Sequence, residues 1–314
     1  MGDSVVLSRI FSRRDFLKGL AGGAGALAFR SISASSEEST RRRAPIIYFT
    51  KFLQGLQAEE IAVIADSLGL DGLDLAVRSG QCVNPDNVRQ ALPKAMKVWK
   101  EAKLSVPMVS TETSLVDPHH PTAEAIWAAC AETGVRDVKI GYWGWKEGTP
   151  YQKLADKARR DLEGFARLSE RYGVRTLVHN HSGFYLACNA ATLMALLRDF
   201  EPSLVGAYVD PAHLAVNGEP LPLALEMIGR HLAMVAVKNV AYVRTETATG
   251  VKWERQWCFL SDGLVDWPGA ISLLRKRGYV GPLSLHGEYS GPDDRDAILK
   301  NVEQDVKYLT TIVG

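Results

Sequence analysis

From Pro45 to the end of the chain, short apolar runs alternate with longer segments whose apolar residues recur at helical spacing. In the first cycle, residues 46–50 read IIYFT, and the next segment places Ile61 and Leu68 on one helical face before Gly69. Continuous apolar runs are typical of strands buried on both faces, and a glycine after the last periodic residue ends a helix. We predict strands at residues 46–50, 71–77, 104–110, 137–145, 174–181, 205–213, 234–240 and 282–289, and helices at residues 57–68, 87–102, 122–133, 151–172, 191–200, 221–231, 267–277 and 294–311.

Apolar strands that alternate with amphipathic helices indicate a parallel sheet covered by helices. Eight such units match the size of a closed (β/α)8 barrel, the TIM barrel. A doubly wound open sheet is the alternative. Residues 51–55 after the first strand read KFLQG, which lacks the GxGxxG turn of a dinucleotide site, so no nucleotide cofactor is expected. We predict an α/β TIM barrel that forms a single domain over residues 45–314.

The first 44 residues have the pattern of a targeting segment. Residues 12–18 read SRRDFLK, and a glycine-rich, weakly apolar run follows that is too short to span a bilayer. This pattern predicts a twin-arginine signal and polar linker over residues 1–44. The expected partner is the twin-arginine export machinery, and the expected location is the periplasm. Residues 26–28 and 31–36 are the candidate cleavage sites, and a retained membrane anchor is the alternative.

Composition narrows the functional classes. The chain of 314 residues is 46% hydrophobic, with a formal charge of +1 and a sequence pI of about 7.7. This near-neutral charge gives no indication of a basic surface that would bind nucleic acid. Its four cysteines form no CxxC motif, so we interpret them as free thiols; they are Cys82, Cys130, Cys188 and Cys258.

Four of the seven histidines lie where predicted strands end. His179 and His181 belong to the stretch RTLVHNHSG, and because strand side chains alternate, both point to one face. His213 ends the run YVDPAH and His286 ends LSLH. In a TIM barrel the carboxyl ends of all strands meet at one rim, where the chemistry takes place. The four histidines are therefore expected to face one mouth.

Other polar and aromatic residues reach the same rim. Asp210 ends the sixth predicted strand, Lys238 ends the seventh, and Glu288 lies two residues beyond the histidine of the eighth. A purely structural Lys238–Glu288 ion pair is the alternative to a catalytic role for these two residues. Aromatic rings suit the apolar faces of sugars, although tryptophan in a barrel loop is as often plain packing. We assign four residues to substrate binding: Tyr142, Trp143, Trp145 and Arg255.

The motifs at these strand ends carry a family resemblance. They are HNHSG at 179–183, DPAH at 210–213, VKN at 237–239, GLVDW at 263–267 and GPLSLHGEY at 281–289. With them, nearly the whole barrel segment resembles the sugar-phosphate isomerase/epimerase superfamily, the xylose isomerase-like TIM barrels. The resemblance implies one divalent ion held by Glu, Asp, His and Glu from strands five to eight, and in the epimerases both glutamates also move protons.

When the ligand positions of the family are mapped onto this chain one by one, the residue types differ. The four family positions fall on His179, Asp210, Ala236 and His286, so only Asp210 keeps its residue type. Three of them could still form a two-histidine, one-carboxylate site for one divalent ion. Such a donor set suits zinc or iron better than manganese, because imidazole replaces hard oxygen. The alternative is a metal-free site.

The resemblance implies an exported carbohydrate-active enzyme that abstracts a proton next to a carbonyl group. This would be a sugar isomerase or epimerase, or a keto-glycoside lyase or hydratase, acting on an unphosphorylated small sugar or glycoside. We assign the catalytic roles to Lys238, Glu288, His181 and His213, the last at the position of a histidine that the epimerases also carry. A non-catalytic periplasmic sugar-binding barrel is the main alternative. The third hypothesis is a phosphodiesterase resembling endonuclease IV. Such an enzyme would need a basic groove, and this sequence shows no sign of one.

Overall fold

The computed structural model describes residues 43–314, so the predicted twin-arginine signal lies outside the described part of the chain. The strands are β1 (Ile46–Phe49), β2 (Gly72–Val77), β3 (Ser105–Thr111), β4 (Asp137–Lys139), β5 (Arg175–His179), β6 (Val205–Val209), β7 (Leu232–Val237), β8 (Asn239–Thr247), β9 (Gly250–Cys258) and β10 (Leu283–Leu285). The helices are α1 (Ala58–Ser67), α2 (Val88–Glu101), α3 (Ala123–Thr133), α4 (Tyr151–Tyr172), α5 (Ala190–Leu197), α6 (Pro211–Val216), α7 (Leu221–Ile228), α8 (Trp267–Lys276) and α9 (Arg295–Val313). Among these helices, not one combines the length and apolar character needed to cross a membrane.

Eight parallel strands close into a barrel in the order β1 to β7 and then β10, which pairs back onto β1. The predicted TIM barrel is thus confirmed. Six strands end earlier than predicted: β1, β4, β5, β6, β7 and β10. β4 stops at Lys139, and β6 stops at Val209, because Asp210 caps α6 and Pro211 occupies its first turn, where a missing N–H costs nothing.

The hydrophobic core has two parts. Between the strands and the helices lie large side chains, of which Trp99, Trp127, Phe165 and Trp267 are fully buried. Inside the barrel lies a smaller cluster, formed by Ile47, Met108, Leu177, Tyr208, Met234 and Ala236. This inner cluster fills the barrel, so a ligand can reach the strand ends only from the rim. Ala236, the position at which the resemblance implies a histidine ligand, is fully buried in this inner cluster.

A long antiparallel hairpin, β8 and β9, leaves the rim directly after β7, where no element is predicted from the sequence. The strands pair from Asn239 with Cys258 to Thr247 with Gly250. One face of the hairpin carries Val240 and Trp257 as a cross-strand pair, followed by Tyr242 opposite Arg255. Because directly opposed residues share a face, this face is the one turned toward the barrel, where Val240 is buried.

The last helix holds two loops of the rim through Asp305. Its Oδ1 accepts a hydrogen bond from the backbone nitrogen of Leu260 at 2.9 Å, and its Oδ2 accepts one from the Tyr289 hydroxyl at 2.7 Å. Burial raises the pKa of Asp305 to about 6. The protonated form is therefore favoured in the folded chain relative to an exposed aspartate, whose pKa is about 4.

This shift predicts a pH dependence of stability. A carboxyl group whose folded pKa is raised stabilises the fold fully below its unfolded pKa, and the contribution is lost as the pH rises through about 6. Relative to Asp305→Asn, the wild-type unfolding free energy should fall by on the order of 2 kcal/mol between pH 4.5 and 7.5. Urea denaturation of both proteins at these pH values measures the difference, and parallel pH profiles would contradict it.

Candidate functional site

The ends of β5, β6, β7 and β10 bring the predicted metal ligands and the lysine together. His179 is the last residue of β5, Asp210 follows β6, and His286 follows β10. Asn180, which lies between the two histidines in sequence, anchors this geometry. Its amide nitrogen donates to the Asp210 carbonyl oxygen at 3.1 Å, and its Oδ1 accepts from the Asp210 backbone nitrogen at 2.8 Å.

His179, Asp210 and His286 form a compact cluster of candidate ligands. They are buried, and each offers one ligand atom such that the three atoms lie within 4.8 Å of one another. His179 Nε2 lies 3.5 Å from Asp210 Oδ2. Within the described residues, His179 Nε2 is buried without a hydrogen-bond partner, whereas Asp210 Oδ2 has the Lys238 ammonium 3.2 Å away. Buried polar atoms nearly always have a partner, so His179 Nε2 marks a place where a ligand would complete the site.

A hydrogen-bonded relay under the rim fixes the orientation of His286. Tyr208, from the barrel interior, donates its hydroxyl proton to Asp74 Oδ2 at 2.9 Å and lies 2.8 Å from His286 Nε2. Since that hydroxyl has one proton, Nε2 of His286 must be the protonated nitrogen. Asp74 is held in turn by the hydroxyls of Ser110 and Ser284, each at 2.8 Å. The lone pair on His286 Nδ1 therefore remains available.

The imidazoles of the cluster are neutral. Burial lowers the pKa of His179 to about 4, although Asp210 beside it acts in the opposite direction. Burial, followed by the nearby Lys238 charge, lowers the pKa of His286 well below its usual range. A neutral imidazole is the form that binds a metal ion, so the cluster has the protonation state that coordination requires.

Lys238 is buried at the centre of the charged groups. Its Nζ lies 2.8 Å from Glu288 Oε2, 3.0 Å from His213 Nε2 and 3.2 Å from Asp210 Oδ2. The ring of Trp257 covers it, with the centroid 4.2 Å from Nζ. The other carboxylate oxygen of Glu288, Oε1, forms an ion pair with Lys51 Nζ at 2.5 Å. Two carboxylates thus face two ammonium groups, and the cluster is neutral overall.

This pairing sets the protonation states of all the charged members. Burial alone would raise the pKa of Asp210, but the Lys238 ammonium lowers it well below its usual range. Burial likewise opposes the charge on Glu288, whose pKa Lys238 and Lys51 lower in the same way. The two carboxylates raise the pKa of Lys238 against the effect of its burial. All three groups are therefore ionised at neutral pH.

His181 lies outside the ligand cluster and also keeps one ring nitrogen free. Its Nδ1 lies 2.9 Å from the carbonyl oxygen of Ser182, which can only accept, so Nδ1 carries the proton. Burial and then Lys238 lower its pKa to about 4, which keeps the ring neutral. Nε2 therefore carries a lone pair. The ring is half-buried and packs on His213, with 3.9 Å between the centroids.

The hairpin connects to the same residues. Arg255 donates from Nη1 to Ser182 Oγ at 3.2 Å, and this oxygen lies 2.8 Å from His213 Nδ1. Because Lys238 donates to the other nitrogen of His213, that ring must give its Nδ1 proton to Ser182. His213 is thus engaged on both sides. Arg255, predicted to bind substrate, lies at the rim.

The three aromatic residues that were predicted to bind substrate lie in different parts of the structure. Tyr142 lies in the site, with its hydroxyl 3.3 Å from His179 Nδ1 and its ring 4.9 Å from that of His181. Trp143 instead is buried in the core and donates to Asp161 of α4 at 2.9 Å. Trp145 donates to the Thr149 carbonyl within its own loop and packs against Phe184. β4 ends before these residues, so strand alternation does not direct their side chains to the mouth.

Several residues of the site were not predicted from the sequence: Lys51, Asp74, Arg78, Lys139, Tyr208 and Trp257. Lys51 and Arg78 follow the first two strands and obey the same strand-end rule that identified the histidines. Asp74 and Lys139 are charged residues inside apolar strands, which is itself a signal. Trp257 lies on the hairpin of β8 and β9. Only the alternation of side chains between the two faces of β9 could have identified it from the sequence.

Comparisons with known proteins agree with this architecture. A family model described as xylose isomerase-like TIM barrel matches residues 62–312, and the chain belongs to that family. The structure resembles apo 3-keto-D-glucoside 4-epimerase from E. coli, with 15% identity, a TM-score of 0.65, and coverage of 86% of this chain and 100% of the other. It also resembles D-psicose 3-epimerase with D-tagatose from Clostridium cellulolyticum, with 12% identity and a TM-score of 0.64. That match covers 86% of this chain and 99% of the other.

A third similar structure is a xylose isomerase-like TIM barrel protein from Mycobacterium smegmatis in complex with magnesium. Its values are 17% identity, a TM-score of 0.61, and coverage of 86% of this chain and 98% of that one. A search of the curated proteins found no sequence match. At these identities the likenesses show the fold. The expected superfamily is confirmed, and the chemistry must be argued from the site itself.

The buried charge cluster makes a prediction about stability. Lys238→Met removes the ammonium that neutralises Asp210 and leaves a buried carboxylate without its counter-charge. The unfolding free energy should fall by about 3 to 5 kcal/mol, as measured by urea denaturation at pH 7. Lys252→Met is the matched control, since Lys252 is exposed on β9 and pairs only with Glu254. Equal losses in the two variants would contradict the assignment.

Proposed function

We propose that the chain is a carbohydrate-active enzyme that abstracts a proton next to the carbonyl group of a sugar or glycoside. The observation that supports this most strongly is the pairing of His181 with the ligand cluster. His181 presents a free lone pair and has a fixed tautomer, and its ring centroid lies 6.2 Å from that of His179, the last residue of β5. A base and a site for a polarising group share one mouth.

The residues present fit a metal ion that prefers imidazole. His179 Nε2 is buried without a partner in the described chain, and Asp210 Oδ2, the ion-pair partner of Lys238, lies 3.5 Å from it. The relay through Tyr208 leaves the Nδ1 lone pair of His286 free. Two imidazoles and one carboxylate suit zinc or iron(II) better than magnesium, which requires several oxygen ligands. A bound ion would polarise the carbonyl oxygen and stabilise the enediolate.

Among the candidate bases, His181 is the one free to accept a proton. Glu288 accepts from Lys238 and Lys51, and both lower its basicity. His213 accepts at Nε2 from Lys238, so its lone pair is already used. We therefore assign the general base to His181. Lys238 and His213 hold the surrounding charges in place, and Trp257 covers them from the hairpin side.

A single free base limits the reaction type. Epimerisation inverts a carbon centre, and the proton must leave one face and return to the other, which requires groups on both faces. The two family glutamates that do this fall on His179 and His286 in this chain, and these are assigned to the ion. Isomerisation between an aldose and a ketose, or β-elimination of a keto-glycoside, can each begin with one base. We favour these two reactions for this site.

Hydrogen–deuterium exchange tests the proposal without requiring the natural substrate. The purified protein is incubated in D₂O with a panel of aldoses, ketoses, uronates and 3-keto-glycosides, and proton NMR follows the C–H next to the carbonyl group. Wild type should catalyse exchange on at least one of these sugars. His181→Gln should slow it by about 10² to 10⁴, the usual contribution of a general base.

His120→Gln provides the matched control for this experiment. His120 is exposed and contacts only Thr122 at the start of α3. The His120→Gln substitution should leave the exchange rate unchanged. Equal rates in wild type and His181→Gln would contradict the assignment of the base. Sugar binding without any exchange would instead support the sugar-binding barrel.

A further inference from the structure

Arg78 lies at the rim, directly after β2, on the side of the mouth opposite to β6. Its Nε donates to the Thr111 carbonyl oxygen at the end of β3, at 2.9 Å. Its guanidinium carbon lies 5.0 Å from the centroid of the Phe49 ring, and that ring lies 5.0 Å from the ring of His286. The guanidinium is therefore held on two sides, and the Phe49 ring that it packs on also contacts His286, one of the candidate ligands.

The charge of Arg78 is unmatched within the described residues. Lys51 and Lys238 share Glu288 and Asp210, but Arg78 has no ion pair, and its terminal nitrogens have no hydrogen-bond acceptor in this part of the chain. Arg78 therefore brings to the rim a positive charge that no carboxylate within the described residues pairs with. A guanidinium that keeps its fork free and its stem anchored is well suited to bind an anion.

A second nitrogen without an acceptor lies nearby. Lys139 Nζ is buried, has no hydrogen-bond partner in the described chain, and sits 3.8 Å from the centroid of the Tyr142 ring. Burial lowers its pKa well below the usual range, and the charge of Arg78 is the next cause. Lys139 ends β4 and Arg78 follows β2, so both lie at the carboxyl-end rim, with only β3 between their strands.

We propose that the substrate is a sugar acid and that Arg78 binds its carboxylate. This inference rests on the proposed function, whose substrate class it defines. A carboxylate carries one negative charge, which matches the unpaired charge of Arg78, and it can accept two parallel hydrogen bonds from a guanidinium. A phosphate monoester carries close to two negative charges and would leave one without a partner.

The position of Arg78 also orients such a substrate. β2 and β6 are four places apart in the ring of eight strands, so Arg78 and Asp210 lie on opposite sides of the mouth. A carboxylate held at Arg78 directs the rest of the sugar across the mouth toward β5 and β6. That is where His181 and the ligand cluster lie.

Isothermal titration calorimetry of the full chain at pH 7 tests the proposal with two matched sets of ligands. The first set is D-glucose, D-glucuronate and D-glucose 6-phosphate, and the second contains the corresponding galactose compounds. In at least one set, wild type should bind the uronate about 10- to 100-fold more tightly than the neutral sugar and more tightly than the phosphate. Arg78→Gln should abolish that preference, whereas Arg78→Lys should keep part of it.

Arg89→Gln is the control variant, because Arg89 is exposed on α2 and pairs with Glu132. It should retain the wild-type preference. The proposal is overturned if wild type binds no uronate, binds the phosphate more tightly, or keeps its preference in Arg78→Gln. These outcomes are independent of turnover. A uronate preference without deuterium exchange contradicts only the proposed function, and exchange on neutral sugars without that preference contradicts only this inference.

Discussion

The Lys238 ammonium lies within 3.2 Å of acceptors from Asp210, His213 and Glu288, and the rest of the rim depends on this contact. Bringing two carboxylates into a buried mouth costs several kcal/mol per ion unless opposite charges accompany them. Lys238, with Lys51 on the outer oxygen of Glu288, supplies these charges. The arrangement holds Asp210 ionised with one oxygen turned toward His179.

The same charge balance bears on the ligand set that the resemblance implies. In that set glutamates would stand at the positions of His179 and His286 and would make the rim more negative by two units. With histidines there, two carboxylates and two ammonium groups cancel, and the site no longer has the excess negative charge that a hard cation such as magnesium needs. A softer ion that bonds to imidazole remains compatible with the site. Ala236 fits this picture, because its methyl group packs in the barrel interior.

Much of the fold and part of the site could be predicted from the sequence because they depend on local patterns. The alternation of apolar runs and helical segments predicted the barrel, and the strand-end rule placed His179, Asp210 and His286 at one rim. The hairpin of β8 and β9 was missed because its strands are largely exposed and lack a continuous apolar run. The assignment of Trp143 failed because β4 ends before it, and strand alternation no longer applies.

Other features depend on neighbours that are distant in sequence and could not be derived from local pattern. Lys51 meets Glu288 across the point where β1 pairs with β10. The tautomer of His286 is set by Tyr208, which is itself fixed by Asp74 on the far side of the barrel. Such chains of contacts decide which nitrogen is free, and hence which histidine can act as a base. They form only when the barrel closes.

The measurement that tests the account most directly is the metal content of the purified full chain after dialysis against zinc and then against metal-free buffer. Mass spectrometry under native conditions gives the number of ions per chain for wild type and for Asp210→Asn, which removes the only anionic ligand with little change in size. The account predicts one ion per chain in wild type and none in Asp210→Asn, with both proteins folded. A wild-type chain that retains no ion, or an Asp210→Asn chain that retains one, would contradict it.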